Sequence, residues 1–210
     1  MQKTAIILGA TGLTGSLVLE QLLSDANYGT IKLFSRRPTG ISHPKVKEYI
    51  GDLLVLEGFK EDLTGDELYI CIGTTKKKTP NHEQYRKIDF GIPAQAVEIS
   101  KNNGVSKVAV VSAIGANAKS SISYNKIKGE MEHVVLSANI ERTYILRPSF
   151  IVGNRQEQRT GEEWGIAVFK CFKFLIPKKY RAVEARDIAA KIIELCNSNA
   201  SSKIIESNDI

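Results

Sequence analysis

Residues 4–22 read Thr-Ala-Ile-Ile-Leu-Gly-Ala-Thr-Gly-Leu-Thr-Gly-Ser-Leu-Val-Leu-Glu-Gln-Leu. An apolar run stops at a glycine, two more glycines follow at intervals of three, and helical periodicity then starts through Leu17, Val18, Gln21 and Leu22. The pattern predicts a strand, a tight turn and a helix. Gly9 permits the turn, Gly12 lets backbone N–H groups approach an anion, and Gly15 lets the helix lie close on the strand. The helix N-terminus adds unpaired donors and the positive end of a dipole. With a strand before it and a helix after it, such a turn is suited to the pyrophosphate of a dinucleotide.

Outward from this turn, short β-branched runs alternate with longer stretches of helical period. Strands are predicted over residues 4–8, 30–35, 46–49, 67–72, 107–112, 143–146 and 203–205. Helices are predicted over 12–24, 84–102, 121–138, 162–174 and 183–196. This alternation predicts an α/β chain, a Rossmann-type doubly wound parallel sheet with a small C-terminal extension on the substrate side. At 210 residues it fits a single domain spanning 1–210, because one core keeps growing to roughly 250 residues.

Composition excludes several classes. The hydrophobic fraction of 42% and charged fraction of 25% are those of an ordinary globular chain. No apolar stretch approaches the roughly 20 residues that span a bilayer, so no membrane association is expected. Cys71, Cys171 and Cys196 form no CxxC pair, which argues against a disulfide framework or a zinc site, and no metal is expected. With no secretory cleavage site after Met1, the expected compartment is the reducing cytoplasm. The net charge of +6 is scattered apart from Lys76-Lys77-Lys78 and the 178–181 cluster, so it suits steering of a polyanionic cofactor better than nucleic-acid binding. The expected partner is a small-molecule substrate, with the chain a monomer or homodimer.

The second strand ends at Phe34-Ser35-Arg36-Arg37, about twenty residues past Gly15. An acidic residue there would accept from the ribose 2′-hydroxyl of NAD, whereas arginine accommodates the 2′-phosphate of NADP. Arg36 and Arg37 therefore predict NADP, as NADPH, over NAD. Asp52, after the third strand, is placed either to accept from the adenine amino group or to form an Asx turn. Gly73, after the fourth strand, lets backbone approach a ligand at the sheet edge where ligands bind.

Ser112 ends the predicted fifth strand, and Tyr124 and Lys128 follow four apart on one helical face. A second Tyr-x-x-x-Lys, from Tyr28 to Lys32, falls in a turn and strand with no serine before it. The chemistry needs a phenol that exchanges protons near neutral pH. An ammonium ~5 Å away at an effective dielectric of ~20 favours phenolate by ~3 kcal/mol, roughly two pKa units. Ser112 would hydrogen-bond the reacting oxygen, Tyr124 would move the proton, and Lys128 would also hold the nicotinamide ribose.

The glycine turn, the serine and the Tyr-x-x-x-Lys helix resemble the short-chain dehydrogenase/reductase superfamily in its extended or atypical branch. Cys71–Thr75, Tyr124–Glu130 and Arg147–Glu157 further resemble the Tat-interacting oxidoreductase-like proteins and their bacterial NAD(P)H-binding relatives. That resemblance implies cofactor contacts from Thr11, Gly12, Leu13 and Thr14, from Arg36 and Arg37, from Ile72 and Gly73, and from Ile151 and Arg159. It also implies Tyr124 as proton acceptor with Lys128. The sequence departs from some relatives by Ser112-Ala113 where they have paired serines.

Only 62 residues follow Pro148, so the substrate pocket is expected to be small or open. Trp164 lines it or belongs to the core, and Arg155 and Arg159 bind an acidic substrate or the cofactor's phosphates. The leading expectation is an NADPH-dependent reductase of a small carbonyl compound. The alternatives are a non-catalytic NADP(H)-bound redox regulator and, against the short C-terminal region, a nucleotide-sugar epimerase.

Overall fold

In the computed structural model, which describes residues 2–153 and 177–210, a seven-stranded sheet forms the centre of the chain. Its strands are β1 (Lys3–Leu8), β2 (Tyr28–Ser35), β3 (Val46–Ile50), β4 (Glu67–Ile70), β5 (Lys107–Val111), β6 (Arg142–Arg147) and β9 (Lys203–Glu206). They lie in the order β3-β2-β1-β4-β5-β6-β9, and every pairing is parallel. Strand order reverses between β1 and β4, where Leu8 pairs with Ile70. The crevice beyond their carboxyl ends is the position at which open α/β sheets bind ligands.

Alternation along β1 shows why both faces need covering. Ala5 and Ile7 join a core built with Val18, Leu19 and Leu22 of α1 (Leu13–Ser24) and Ile188 and Ile192 of α5 (Ala185–Asn197). Ile6 and Leu8 point to the other core, with Ile92, Ala96 and Val97 of α3 (Ile92–Asn102) and Met131 and Val135 of α4 (Ser123–Ser137). Buried strands of a parallel sheet carry apolar side chains on both faces, which is why these segments read as continuous hydrophobic runs.

Between β4 and α3 the chain forms α2 (His82–Arg86), capped by the Asn81 side chain, and passes through a π-helical turn at Lys87–Gly91 into α3. Pro93 accounts for the widened turn. It has no N–H for the Asp89 carbonyl, so the i to i+4 ladder is interrupted there. A two-stranded parallel pair, β7 (Ile151–Val152) with β8 (Val183–Glu184), stands apart from the main sheet. It takes the first two residues of the helix predicted over 183–196. The helix predicted over 162–174 lies outside the described residues.

The opposite edge of the sheet is closed by a buried polar cluster. Glu67 accepts from Tyr28 Oη at 2.6 Å and Tyr69 Oη at 2.7 Å, and pairs with Lys3 Nζ at 2.8 Å. Burial, with Glu67 alongside, holds both phenols protonated well above their ordinary range.

Candidate functional site

Each glycine of the turn has a distinct steric reason. Gly9 has φ +91°, and a Cβ there would lie 2.8 Å from the backbone of Cys71 and Ile72, so the β1 turn and the end of β4 touch through bare backbone. A Cβ on Gly15 would collide with the Gly9 carbonyl oxygen, which shows how closely α1 lies on its strand. Gly12 has an ordinary φ of −81° and needs smallness for another reason: it is the N-cap of α1, it donates to the Gly9 carbonyl at 2.9 Å, and its Cβ would stand 3.2 Å from that oxygen. No side chain caps α1 and its first turn holds no acid, so the first-turn N–H groups face the crevice with their dipole uncompensated. This cradle fits a pyrophosphate. Thr11 is exposed, Leu13 is half-buried and Thr14 is buried.

Ser35 Oγ donates to the Arg37 carbonyl at 2.7 Å, folding the chain just past β2 so that Arg36 and Arg37 are both exposed. No described residue pairs with either guanidinium. Asp52 forms the Asx turn, its Oδ1 accepting from Leu54 N at 2.9 Å. Ile72 packs against the second core, and Ile151 against the first. A Cβ on Gly153 would lie 3.2 Å from Leu13 Cδ1, which brings the chain after β7 to the glycine turn. Arg155, Arg159 and Trp164 lie outside the described residues.

The structure gathers Gly73, Asp89 and Lys128 at one corner. Lys128 Nζ and Asp89 Oδ1 are 2.9 Å apart with side chains 7% and 1% exposed, and a Cβ on Gly73 would sit 3.5 Å from Asp89 Oδ1 and 3.8 Å from Lys128 Nζ. Asp89 Oδ2 accepts from Thr74 N at 2.9 Å, so one carboxylate fixes both the ammonium and the loop after β4. Gly129 lets α4 press against backbone at Asn117 and Ala118, where any Cβ would overlap. That contact seats the helix bearing Tyr124 and Lys128.

The phenol differs from the expectation. Tyr124, 37% exposed, has its pKa raised rather than lowered: burial raises it most, Lys128 opposes, and Asp89 adds to the rise. Lys128 does pull in the expected direction, but its charge is largely answered by Asp89. Tyr85, on α2, is a second protonated phenol, raised by burial and by Asp89 and Tyr124 nearby.

Ser112 lies one residue past β5, not at its end, and is buried in a different network. Its Oγ donates to Glu132 Oε1 at 2.5 Å, and Arg147 grips the same carboxylate through Nε at 2.9 Å and a second nitrogen at 2.5 Å while bonding Glu206 at 3.0 Å. The proximity of Ser112 to Tyr124 expected from spacing is not found in these contacts.

Asp89 escaped the sequence reading although a signal was present. It shares the stripe of Tyr85, Ile92 and Ala96, all buried, and a carboxylate on an apolar face needs a cation or donors.

A family model described as NAD(P)H-binding matches residues 9–199. The chain belongs to the NAD(P)H-binding family. It is 32% identical over 161 residues to the protein FMP52-1, mitochondrial, of Scheffersomyces stipitis, covering 74% of this chain and 70% of that one. Among solved structures, the Bordetella bronchiseptica enzyme WbmH in complex with NAD+ superposes with a TM-score of 0.76 at 16% identity, over 99% of this chain and 76% of that one. A short chain dehydrogenase family protein from Francisella tularensis gives 0.70 at 14% identity, over 98% and 96%. These likenesses show a Rossmann-type fold.

The relatives correct one expectation. FMP52 proteins from several yeasts are named mitochondrial, which overturns the cytoplasmic assignment. The cysteine pattern pointed to a reducing interior and could not separate one such compartment from another.

Proposed function

We propose that this NAD(P)H-binding chain is an NADPH-dependent reductase of the short-chain dehydrogenase type, acting on a small carbonyl compound. The observation that carries the reading is the corner at Gly73, where Lys128 is clamped by Asp89 beside the glycine cradle and on the same helical face as Tyr124. When bound, NADPH supplies the hydride. Gly9, Gly12 and Gly15 seat the pyrophosphate, Arg36 and Arg37 pair with the 2′-phosphate, and Lys128 reaches the nicotinamide ribose. Tyr124 holds its proton throughout the neutral range and delivers it to the substrate oxygen, which suits the reducing direction.

The test is to identify the nucleotide retained on purification and then to follow NADPH and NADH consumption over a carbonyl panel. Tyr124→Phe should lower turnover 10²–10⁴-fold, the cost typical of losing a general acid, with NADPH affinity nearly unchanged. Unchanged turnover in that variant contradicts the assignment.

One observation favours a second reading. The hydroxyl of Ser112 is spent on Glu132, so the serine expected to assist Tyr124 is engaged elsewhere, as would suit a redox-sensing regulator that binds NADP(H) without turnover. Tight NADPH binding with no substrate found and a redox-dependent partner supports this reading over the first.

A further inference from the structure

A cleft of about 200 Å³ opens between the loop after β4 and the N-terminal end of α4. Lys76, Thr79, His82, Tyr85, Ser123 and Tyr124 line it, so the candidate proton donor forms part of its wall. Its volume is roughly that of seven liquid waters, enough for a small organic molecule or one end of a larger one.

The lining is rich in donors and holds no carboxylate. Acids of the neighbouring elements are already committed: Asp89 to Lys128, Glu83 to Lys87 at 2.8 Å, and Glu130 to Arg86. Lys76 contributes an ammonium without an acidic partner among the described residues. His82 Nε2 lies 2.7 Å from Ser123 Oγ, so a protonated Nε2 donating to that oxygen leaves the Ser123 hydrogen free to point outward. The loop is tied at both ends, by Thr79 N to the Thr75 carbonyl at 2.8 Å, Thr74 Oγ1 to Thr79 Oγ1 at 2.8 Å, and the Asn81 cap on α2. Ile122, the N-cap of α4, supplies no side-chain acceptor, so the first-turn N–H groups at Ser123 and Tyr124 add to the positive character.

We infer that this cleft seats an anionic group of the substrate, so that the molecule reduced is a small carbonyl compound bearing a carboxylate or a phosphate. The inference rests on Tyr124 being the proton donor of the proposed reductase. An anion held by the Lys76 ammonium and by the Ser123 hydroxyl that His82 orients leaves the rest of the substrate against the phenols of Tyr124 and Tyr85, with its carbonyl oxygen available to the Tyr124 proton.

Two measurements test this on the full chain. In the first, ¹⁵N-labelled protein saturated with NADP⁺, so that the glycine turn is filled, is titrated with inorganic phosphate and separately with acetate at constant ionic strength. Saturable shifts are expected at the amides of His82, Ser123 and Tyr124, and the tighter anion identifies the group. The paired variant Lys76→Ala/His82→Ala should weaken that binding at least 10-fold and leave NADP⁺ affinity unaltered. Absence of saturable shifts with both anions, or unchanged binding in the variant, overturns the inference.

In the second, NADPH consumption is compared for 2-oxobutanoate against 2-butanone and for dihydroxyacetone phosphate against dihydroxyacetone. The charged member of at least one pair should have kcat/KM 10-fold or more above its neutral analogue, and the paired variant should erase that preference. Turnover indifferent to charge refutes the anion seat while sustaining the reductase. Anion binding that persists with no turnover on any compound refutes the reductase and sustains the seat.

Discussion

Asp89→Ala removes the carboxylate that faces Lys128 Nζ at 2.9 Å and takes the Thr74 N–H at 2.9 Å. Both members of the ion pair are buried, so the lysine left behind has neither water nor a counter-charge in its place. Breaking a buried pair from one side costs about 3–5 kcal/mol, because an uncompensated charge remains in a medium of low polarity. For a chain of this size each kcal/mol moves Tm by about 2–4 °C, so Asp89→Ala should melt about 6–20 °C below the parent. The double variant Asp89→Leu/Lys128→Met should recover most of that loss, since an apolar pair of similar volume replaces two charges. NADPH affinity should not recover, because the ammonium assigned to the ribose is gone. The assay is a thermal melt beside calorimetric titration with NADPH for all three proteins. A melt of Asp89→Ala within about 1 °C of the parent would refute the pair as a stabilising anchor, and restored NADPH affinity in the double variant would refute its role at the cofactor.

Arg36→Ala/Arg37→Ala should weaken NADPH by two charge-assisted contacts of roughly 1.5–3 kcal/mol each while NADH binding hardly changes; equal affinities of the parent for both nucleotides would sink the NADP preference. Gly73→Ala meets nothing closer than 3.5 Å and should melt like the parent yet bind NADPH less well, whereas Gly15→Ala drives a methyl group into the Gly9 carbonyl and should fail to accumulate as folded protein. Ser112→Ala should lower stability by about 1–3 kcal/mol, since a buried carboxylate loses a donor, and its loss of turnover should be far smaller than that of Tyr124→Phe. Stability should fall at alkaline pH: Tyr28, Tyr69 and Cys196 keep protons in the folded state that the unfolded chain releases, so folding free energy declines as pH rises. For Cys196 the decline starts near its ordinary value of 9.0 and runs to about 12, and denaturant midpoints measured from pH 8 to 11 should track it.

What the sequence made legible follows from how locally each feature is determined. Runs such as residues 4–8 and 107–111 announce buried parallel strands because no alternation is needed when both faces are covered. The glycine turn is legible because three separate steric demands fall at fixed spacing within seven residues. The pair β7 with β8 left no trace, since two residues have no period, and its second strand was absorbed into the reading of the helix that follows. The π-helical turn had a signal in Pro93, four residues after Asp89, which the reading of one unbroken helix over 84–102 passed through although an interior proline interrupts the ladder. Asp89 itself could be placed on a buried stripe from sequence, though its partner could not, because Lys128 comes from an element 39 positions away.

Ser112 shows the limit most sharply. Spacing located it at the sheet edge within one residue, but its partners come from α4 and β6, which nothing along β5 announces. The buried face of α4 presents two charges four apart, Lys128 and Glu132, and each needed a partner from outside the helix. Asp89 answers Lys128, while Ser112 and Arg147 answer Glu132. Partition of these charges sets the chemistry left to Tyr124. With Asp89 offsetting the ammonium, the phenol keeps its proton, and a site that serves proton delivery needs a second donor to steady the developing alkoxide. Tyr85, a second protonated phenol on the same cleft wall with only a long 3.4 Å bond to the Thr74 carbonyl, is the donor placed for that task on the proposed reading, while Ser123 serves the anion.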